Sequence, residues 1–258
     1  MYKLGLKLWS INTDYYYDEA IRLYNDGVFD YIELYVVPDT LNTIKKWGKL
    51  NIPFIIHCPH FAHGFNLAKK EKKDNNRKIF YEVQKFADGL NAPYIVIHGG
   101  IDGNIEETAM QLASFNEHRA LIENKPFVAL PNRMGGEYCR GYNVEEIKSV
   151  MDFAKCGFCL DFGHAVCAAN SFGVNIYDYC KSFLQFKPNM YHLTDLNDIN
   201  SPYDSHLHLG TGDLDFCKIF DMIPDESYIT FETVKISKEN LDDFIEDMGW
   251  LKNVLTIK

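Results

Sequence analysis

A closed (β/α)8 barrel is the fold class this chain predicts, and three observations predict it. Short apolar runs of strand length alternate with segments of helical period, eight of each. A His, Asp or Glu closes one run after another: His57 ends PFIIH, His98 ends YIVIH, Asp161 and His164 end FCLDFGH, His192 ends MYH, Asp204 and His206 lie in DSHLHLGTG, and Glu232 ends YITFE. The 258 residues, 47% hydrophobic and without a Pro/Gly/Ser-rich break, suffice for one large core, and a barrel of this kind uses about 250 residues. A single domain over residues 1–258 follows.

The elements read in order. Residues 4–9 form the first strand; Asp18 to Tyr24 follow with helical period and stop at Asn25-Asp26-Gly27, a helix C-terminal signal. The second strand is 31–36, with a helix after Asp39, and the third is 53–57. A long helix over 69–89 gathers Ile79, Phe80, Val83, Phe86 and Ala87 on one face. The fourth strand is 94–98, followed by a helix over 105–122, and 127–130 is read as the fifth strand. Helices over 144–154, 176–186, 216–223 and 239–254 alternate with strands at 158–161, 190–193 and 228–232. A doubly wound open sheet is the rival, but it wants a Gly-rich phosphate turn after its first strand, and LWSINTD offers none.

A net charge of −10 works against a partner recognised through a phosphate backbone, and no basic cluster stands out beyond residues 69–73, which read as a solvated helix start. Seven cysteines at irregular spacing do not form a disulfide framework; the one CxxC, Cys156 and Cys159, runs into a strand and reads as core. No cleavable signal pattern opens the chain, and nowhere do about 18 apolar residues run together. The expectation is a cytoplasmic protein with no membrane partner, homo-oligomerisation being left open.

Parallel strands in a barrel deliver their last residues to one face, so the scattered imidazoles and carboxylates should meet there. Together they are the ligand set of a divalent metal such as zinc or manganese. A lone strand-end histidine is more often packed than ligating; three buried ionisable groups, Asp161, His192 and Glu232, with no basic partner nearby in sequence are costly unless a cation neutralises them. His98 or His57 would complete the shell. His164, Asp204 and His206 form either a second metal site or the hydrogen-bonding surround of the ligands. Asp195 is read as a loop cap or an orienting neighbour.

IIHCPHF, IVIHGG, CLDFGHA, YHLTDL, DSHLHLGTGDLDF and ITFET resemble, in order, the strand-end motifs of the xylose-isomerase-like TIM barrels, the superfamily that holds endonuclease IV, the sugar-phosphate isomerases and epimerases, and related dehydratases. The resemblance to endonuclease IV implies three zinc positions. His57 and His98 match the first, Asp161, His192 and Glu232 the second, and His164, Asp204 and His206 the third. The fifth strand departs from the pattern: where the family places a bridging Glu before an Asn, Ala129-Leu130-Pro131-Asn132-Arg133 puts Pro131. A shifted register using Glu123 of LIENK is the alternative, but Asn132 with Gly135-Gly136 fits the motif better. Without a bridging carboxylate a close metal pair is hard to hold, so one tightly bound ion is expected.

The second strand carries Glu33 where sugar isomerases often line the substrate, and the segment after it, Val36 to Thr40, is apolar and then acidic, a poor DNA loop. The sequence therefore points to a metal-dependent isomerase or epimerase of a sugar or sugar phosphate, acting by proton transfer beside a metal-polarised carbonyl. Glu232 would be the base, with Glu33 or His57 as its partner; Trp9, Asn132, Arg133 and Arg140 are the candidate substrate contacts. An endonuclease IV-type nuclease is the alternative, and a non-catalytic binding barrel the third. The acidic balance predicts that duplex DNA binds at physiological salt no better than about 10⁻⁴ to 10⁻⁶ M, and a mobility-shift titration checks it.

Overall fold

Eight parallel strands close on themselves in sequence order, β1 pairing with both β2 and β8. The computed structural model of the chain describes residues 2–131 and 134–257. The strands are β1 (Lys3–Trp9), β2 (Tyr31–Tyr35), β3 (Phe54–His57), β4 (Ile95–His98), β5 (Ala120–Glu123), β6 (Gly157–Asp161), β7 (Met190–Leu193) and β8 (Tyr228–Phe231). The helices around them are α1 (Tyr17–Asn25), α2 (Ile44–Trp47), α3 (Lys73–Gly89), α4 (Ile105–Ser114), α5 (Val144–Ala154), α6 (Phe162–Phe172), α7 (Ile176–Phe183), α8 (Phe216–Phe220) and α9 (Asp242–Ile257). Most strands are short apolar runs because helices cover one face and the barrel interior fills the other. No helix among the described residues is long and apolar enough to cross a membrane.

The barrel interior places the site. Side chains alternate along a strand, so residues two apart share a face. Tyr31, Ile55, Val96, Leu121, Cys159 and Met190 pack together as one interior layer. Two residues further along the same strands stand Glu33, His57, His98, Glu123, Asp161 and His192, all buried. The apolar layer is thus the floor on which an ionisable layer rests. Lys7 joins that layer from β1, where it lies in register with Glu33.

The fifth strand is Ala120–Glu123, not 127–130, and α4 stops at Ser114 rather than running to residue 122. ALIE is a four-residue apolar run, which periodicity cannot distinguish from a buried helix end. Pairing decides it: Ile95 to His98 match Ala120 to Glu123, and Leu121 to Glu123 match Gly157 to Cys159. Residues 127–130 belong instead to an irregular excursion that folds back, with Val128 bridging Tyr138. Pro131 lies in a turn of that excursion, outside the barrel. Ala129, Leu130 and Pro131 of the expected fifth-strand motif are therefore not on a barrel strand; Asn132 and Arg133 lie outside the described residues. Helix α6, which starts directly after Asp161, has no counterpart in the sequence reading, and the long segment read as one helix from 69 opens as a 3-10 turn over Lys70–Lys72.

Asp195 caps its loop as expected, accepting the backbone N–H groups of Leu196, Gly210, Gly212 and Leu214. At the floor, Gly5 is required by a close approach: a Cβ there would lie 2.4 Å from Tyr31 Cζ, and the Tyr31 hydroxyl is held 2.8 Å from Thr230 Oγ1. Gly5→Ala should therefore cost about 1–3 kcal/mol through overpacking, read as a lowered urea midpoint at unchanged slope.

Candidate metal centre

Glu123 sits at the centre of the ionisable layer. Its Oε2 lies 3.2 Å from His57 Nε2 and 3.0 Å from His98 Nε2. Its Oε1 lies 3.0 Å from His164 Nδ1 and 3.7 Å from His192 Nδ1. Asp161 Oδ2 is 3.4 Å from His164 Nδ1 and 3.9 Å from His192 Nδ1, and Glu232 Oε1 is 3.1 Å from His192 Nδ1. A further group lies beside them, Asp204 Oδ2 being 3.3 Å from His164 Nε2 and 2.7 Å from His206 Nε2.

Four histidines have one ring nitrogen tied to a fixed acceptor, which aims the other at a carboxylate. His57 Nδ1 donates to the Cys58 carbonyl (2.7 Å), His206 Nδ1 to the Glu232 carbonyl (2.9 Å) and His164 Nδ1 to the Asn124 carbonyl (3.0 Å). His192 Nε2 donates to Glu33 Oε2 at 2.9 Å. This is the way ligating histidines are oriented.

The donor atoms also fail to satisfy one another. Glu123 Oε1, Asp161 Oδ2 and His192 Nδ1 are buried without a hydrogen-bond partner, and they belong to residues of one compact donor group, Glu123, Asp161 and His192. The short approach of His164 Nδ1 to Glu123 Oε1 is not an aligned hydrogen bond, since that N–H serves the Asn124 carbonyl. Three further groups have metal-binding spacing: His57 with His98 and Glu123; His164 with Asp204 and His206; and Glu33 with His57, His192 and Glu232. Among the described residues five carboxylates, Glu33, Glu123, Asp161, Asp204 and Glu232, gather here with the ammonium groups of Lys7 and Lys125. The remaining negative charge has to be met by protons on the imidazoles or by cations. The residues present therefore fit divalent metal.

Lys7 is not recognisable as a site residue in the sequence, where it only interrupts an apolar run. Its Nζ lies 2.5 Å from Glu33 Oε1 and 2.5 Å from Glu232 Oε1. Glu232 thus has a basic partner 225 residues away, so the lack of one nearby in sequence does not leave it unpaired. Burial opposes the Lys7 charge, but Glu232 and Glu33 outweigh it and raise its pKa, so it stays an ammonium. Glu33 is fully buried; Lys7, His192 and Thr230 occupy its oxygens, and although burial pushes its carboxyl up, the His192 and Lys7 charges hold it down to about 2.

Of the other sequence candidates, Trp9 lines the cavity above the centre, stacked on Tyr35 at 4.8 Å. Arg140 points elsewhere, to the Asp102 carbonyl and Glu146. Asn132 and Arg133 lie outside the described residues. The cavity holds about 620 Å³; Lys7, His57, His98, Lys125, His164, Asp204, His206 and Glu232 reach it, and Phe61, Val128, Leu130, Met134 and Val234 give it an apolar side.

A family model described as the xylose isomerase-like TIM barrel matches residues 26–254. The chain belongs to that family. No curated protein matches it. Among solved structures, a D-tagatose 3-epimerase-like protein superposes with a TM-score of 0.72 at 17% identity, covering 99% of this chain and 97% of its own. Endonuclease IV from Thermus thermophilus gives 0.69 at 17% identity, covering 99% and 100%. A D-psicose 3-epimerase crystallised in the presence of D-fructose gives 0.61 at 14%, covering 99% and 97%. At these identities the likeness establishes the fold, which the family shares between epimerases and nucleases.

The protonation of the donors sets a pH signature. Burial works against the His164 imidazolium, but Asp161 and Asp204 hold its pKa at about 10, and Asp204 likewise raises His206 to about 9, from the ordinary 6.5. A pKa raised on folding contributes stability below the unfolded value that is lost as pH climbs through the folded one. Metal-free protein should therefore lose stability between pH 6.5 and about 8; above that Lys235, depressed by burial to about 8, begins to offset the trend. Urea midpoints in chelator at the two pH values measure this, and added zinc or manganese should reverse the slope, because the ion displaces those protons.

Proposed function

We propose that this barrel is a multinuclear metal-dependent hydrolase of a phosphate ester small enough to enter the cavity. The observation that carries the reading is Glu123: one carboxylate whose two oxygens separately serve the His57/His98 group and the Asp161/His192 group, the arrangement a pair of close cations needs as a bridge. The expectation of a single ion rests on Pro131 occupying that position. Pro131 does not, so its reason is gone.

His57, His98 and Glu123 would hold one ion, Glu123, Asp161, His192 and Glu232 a second, and His164, Asp204 and His206 a third. Bound divalent ions supply Lewis acidity at a phosphoryl oxygen and a strong nucleophile at neutral pH. The chain's own residues do the rest. Glu33 fixes the His192 ring by accepting its Nε2–H, and so acts as a positioning residue. Lys7 keeps Glu33 and Glu232 ionised and in place. The apolar side of the cavity, from Phe61 through Val128, Leu130 and Met134, excludes water from the reacting end of the ligand.

A second reading has its own support. Glu123 on β5 and Glu232 after β8 flank Asp161 and His192, which gives a sugar isomerase or epimerase the two carboxylates that proton transfer on either side of a carbonyl requires. One assay set separates the readings. Zinc- or manganese-loaded protein is offered p-nitrophenyl phosphate esters, abasic DNA, and ketoses in heavy water. The hydrolase reading expects phosphoester turnover with more than one ion per chain by elemental analysis, and Glu123→Gln should lower both, turnover by at least about 10- to 100-fold. Deuterium exchange into a ketose, with one ion per chain and no phosphoester hydrolysis, would replace it with the isomerase reading.

A further inference from the structure

We propose that Lys125 holds the phosphoryl group of the substrate beside the metal donors; the inference rests on the hydrolase reading and names the residue that recognises its substrate's charge. Lys125 lies just past β5, 8% exposed, with its backbone N–H bonded to the Gly141 carbonyl at 3.0 Å and its side chain on the cavity wall. Its ammonium is poorly partnered. Its Nζ lies 3.0 Å from His164 Nε2 and 4.0 Å from Glu123 Oε1, the latter too long for a hydrogen bond. Lys7, in the ionisable layer, shows the contrast, with two carboxylate oxygens at 2.5 Å.

The one nitrogen close to Lys125 is not an acceptor it can keep. An imidazole nitrogen carries either a proton or one lone pair, and His164 Nε2 also lies 3.3 Å from Asp204 Oδ2, in the donor group that His206 completes. A cation on that group uses the same lone pair. Lys125 is then a buried ammonium with three N–H donors and no short acceptor inside the protein, a costly state that an oxygen entering from the cavity relieves. A phosphoryl oxygen supplies both the acceptor and the negative charge, and a lysine on a flexible stem suits it as a point charge. The ammonium stands beside the ligands rather than across the cavity from them, so the group it holds is the one at the metal.

The test is inorganic phosphate binding by titration calorimetry to zinc-loaded wild type, Lys125→Met and Lys125→Gln, with divalent ions per chain counted on the same samples. Both substitutions should weaken phosphate by about tenfold or more, the value of a charge-assisted hydrogen bond, at unchanged ion count. Equal phosphate affinity in the variants, or no phosphate binding by wild type, overturns the proposal. So does an extra divalent ion in Lys125→Met, which would mean that the ammonium normally fills the third cation seat. Because the readout is binding, Lys125-dependent phosphate affinity without phosphoester turnover would leave this inference standing and remove the hydrolase reading.

Discussion

The structure depends on burying a carboxylate, Glu123, among four imidazoles at the mouth of a closed barrel. Burial alone would push that carboxyl towards neutrality; His98, Lys125 and His192 hold it far below the usual carboxylate range. An anion kept ionised with one oxygen unsatisfied is unstable in a dry interior unless a cation completes it. Its neighbours serve the same end: each tied histidine has one nitrogen committed to a carbonyl or carboxylate, leaving the other for the centre.

Strand periodicity makes this arrangement compatible with folding. The ionisable layer lies two residues beyond an apolar layer on the same strands, so a closed hydrophobic floor separates the charged mouth from the rest of the interior. Register fixes the layer as much as composition does. A one-residue slip of β5 would turn Glu123 outward and bring Ile122 in, replacing the bridge with an apolar side chain.

Lys7 and Lys125 divide the positive charge between two tasks. Lys7 is clamped by two carboxylates and belongs to the frame, holding Glu33 and, through it, the His192 ring. Lys125 has no such clamp and opens to the cavity. Two cations of one chemical type thus differ in role through the acceptors within reach.

The barrel is legible in the sequence because alternating apolar runs and helical periods report burial directly, and because strand-end His57, His98, Asp161, His192 and Glu232 stand out against apolar neighbours. His164, Asp204 and His206 are legible as a set but not as metal or surround, a distinction that depends on distances. Glu123 is visible only as the weaker of two alternatives, since ALIE carries no mark separating a four-residue strand from the last turn of a helix; only hydrogen bonding to β4 and β6 assigns it. Lys7 cannot be read as the partner of Glu232, because 225 residues separate them and only closure of β1 on β8 brings them together. The sequence by itself determined which side chains are ionisable and which runs are buried. The tertiary structure alone decided which of those charges meet, because contact across a barrel is set by strand register and closure, not by spacing along the chain.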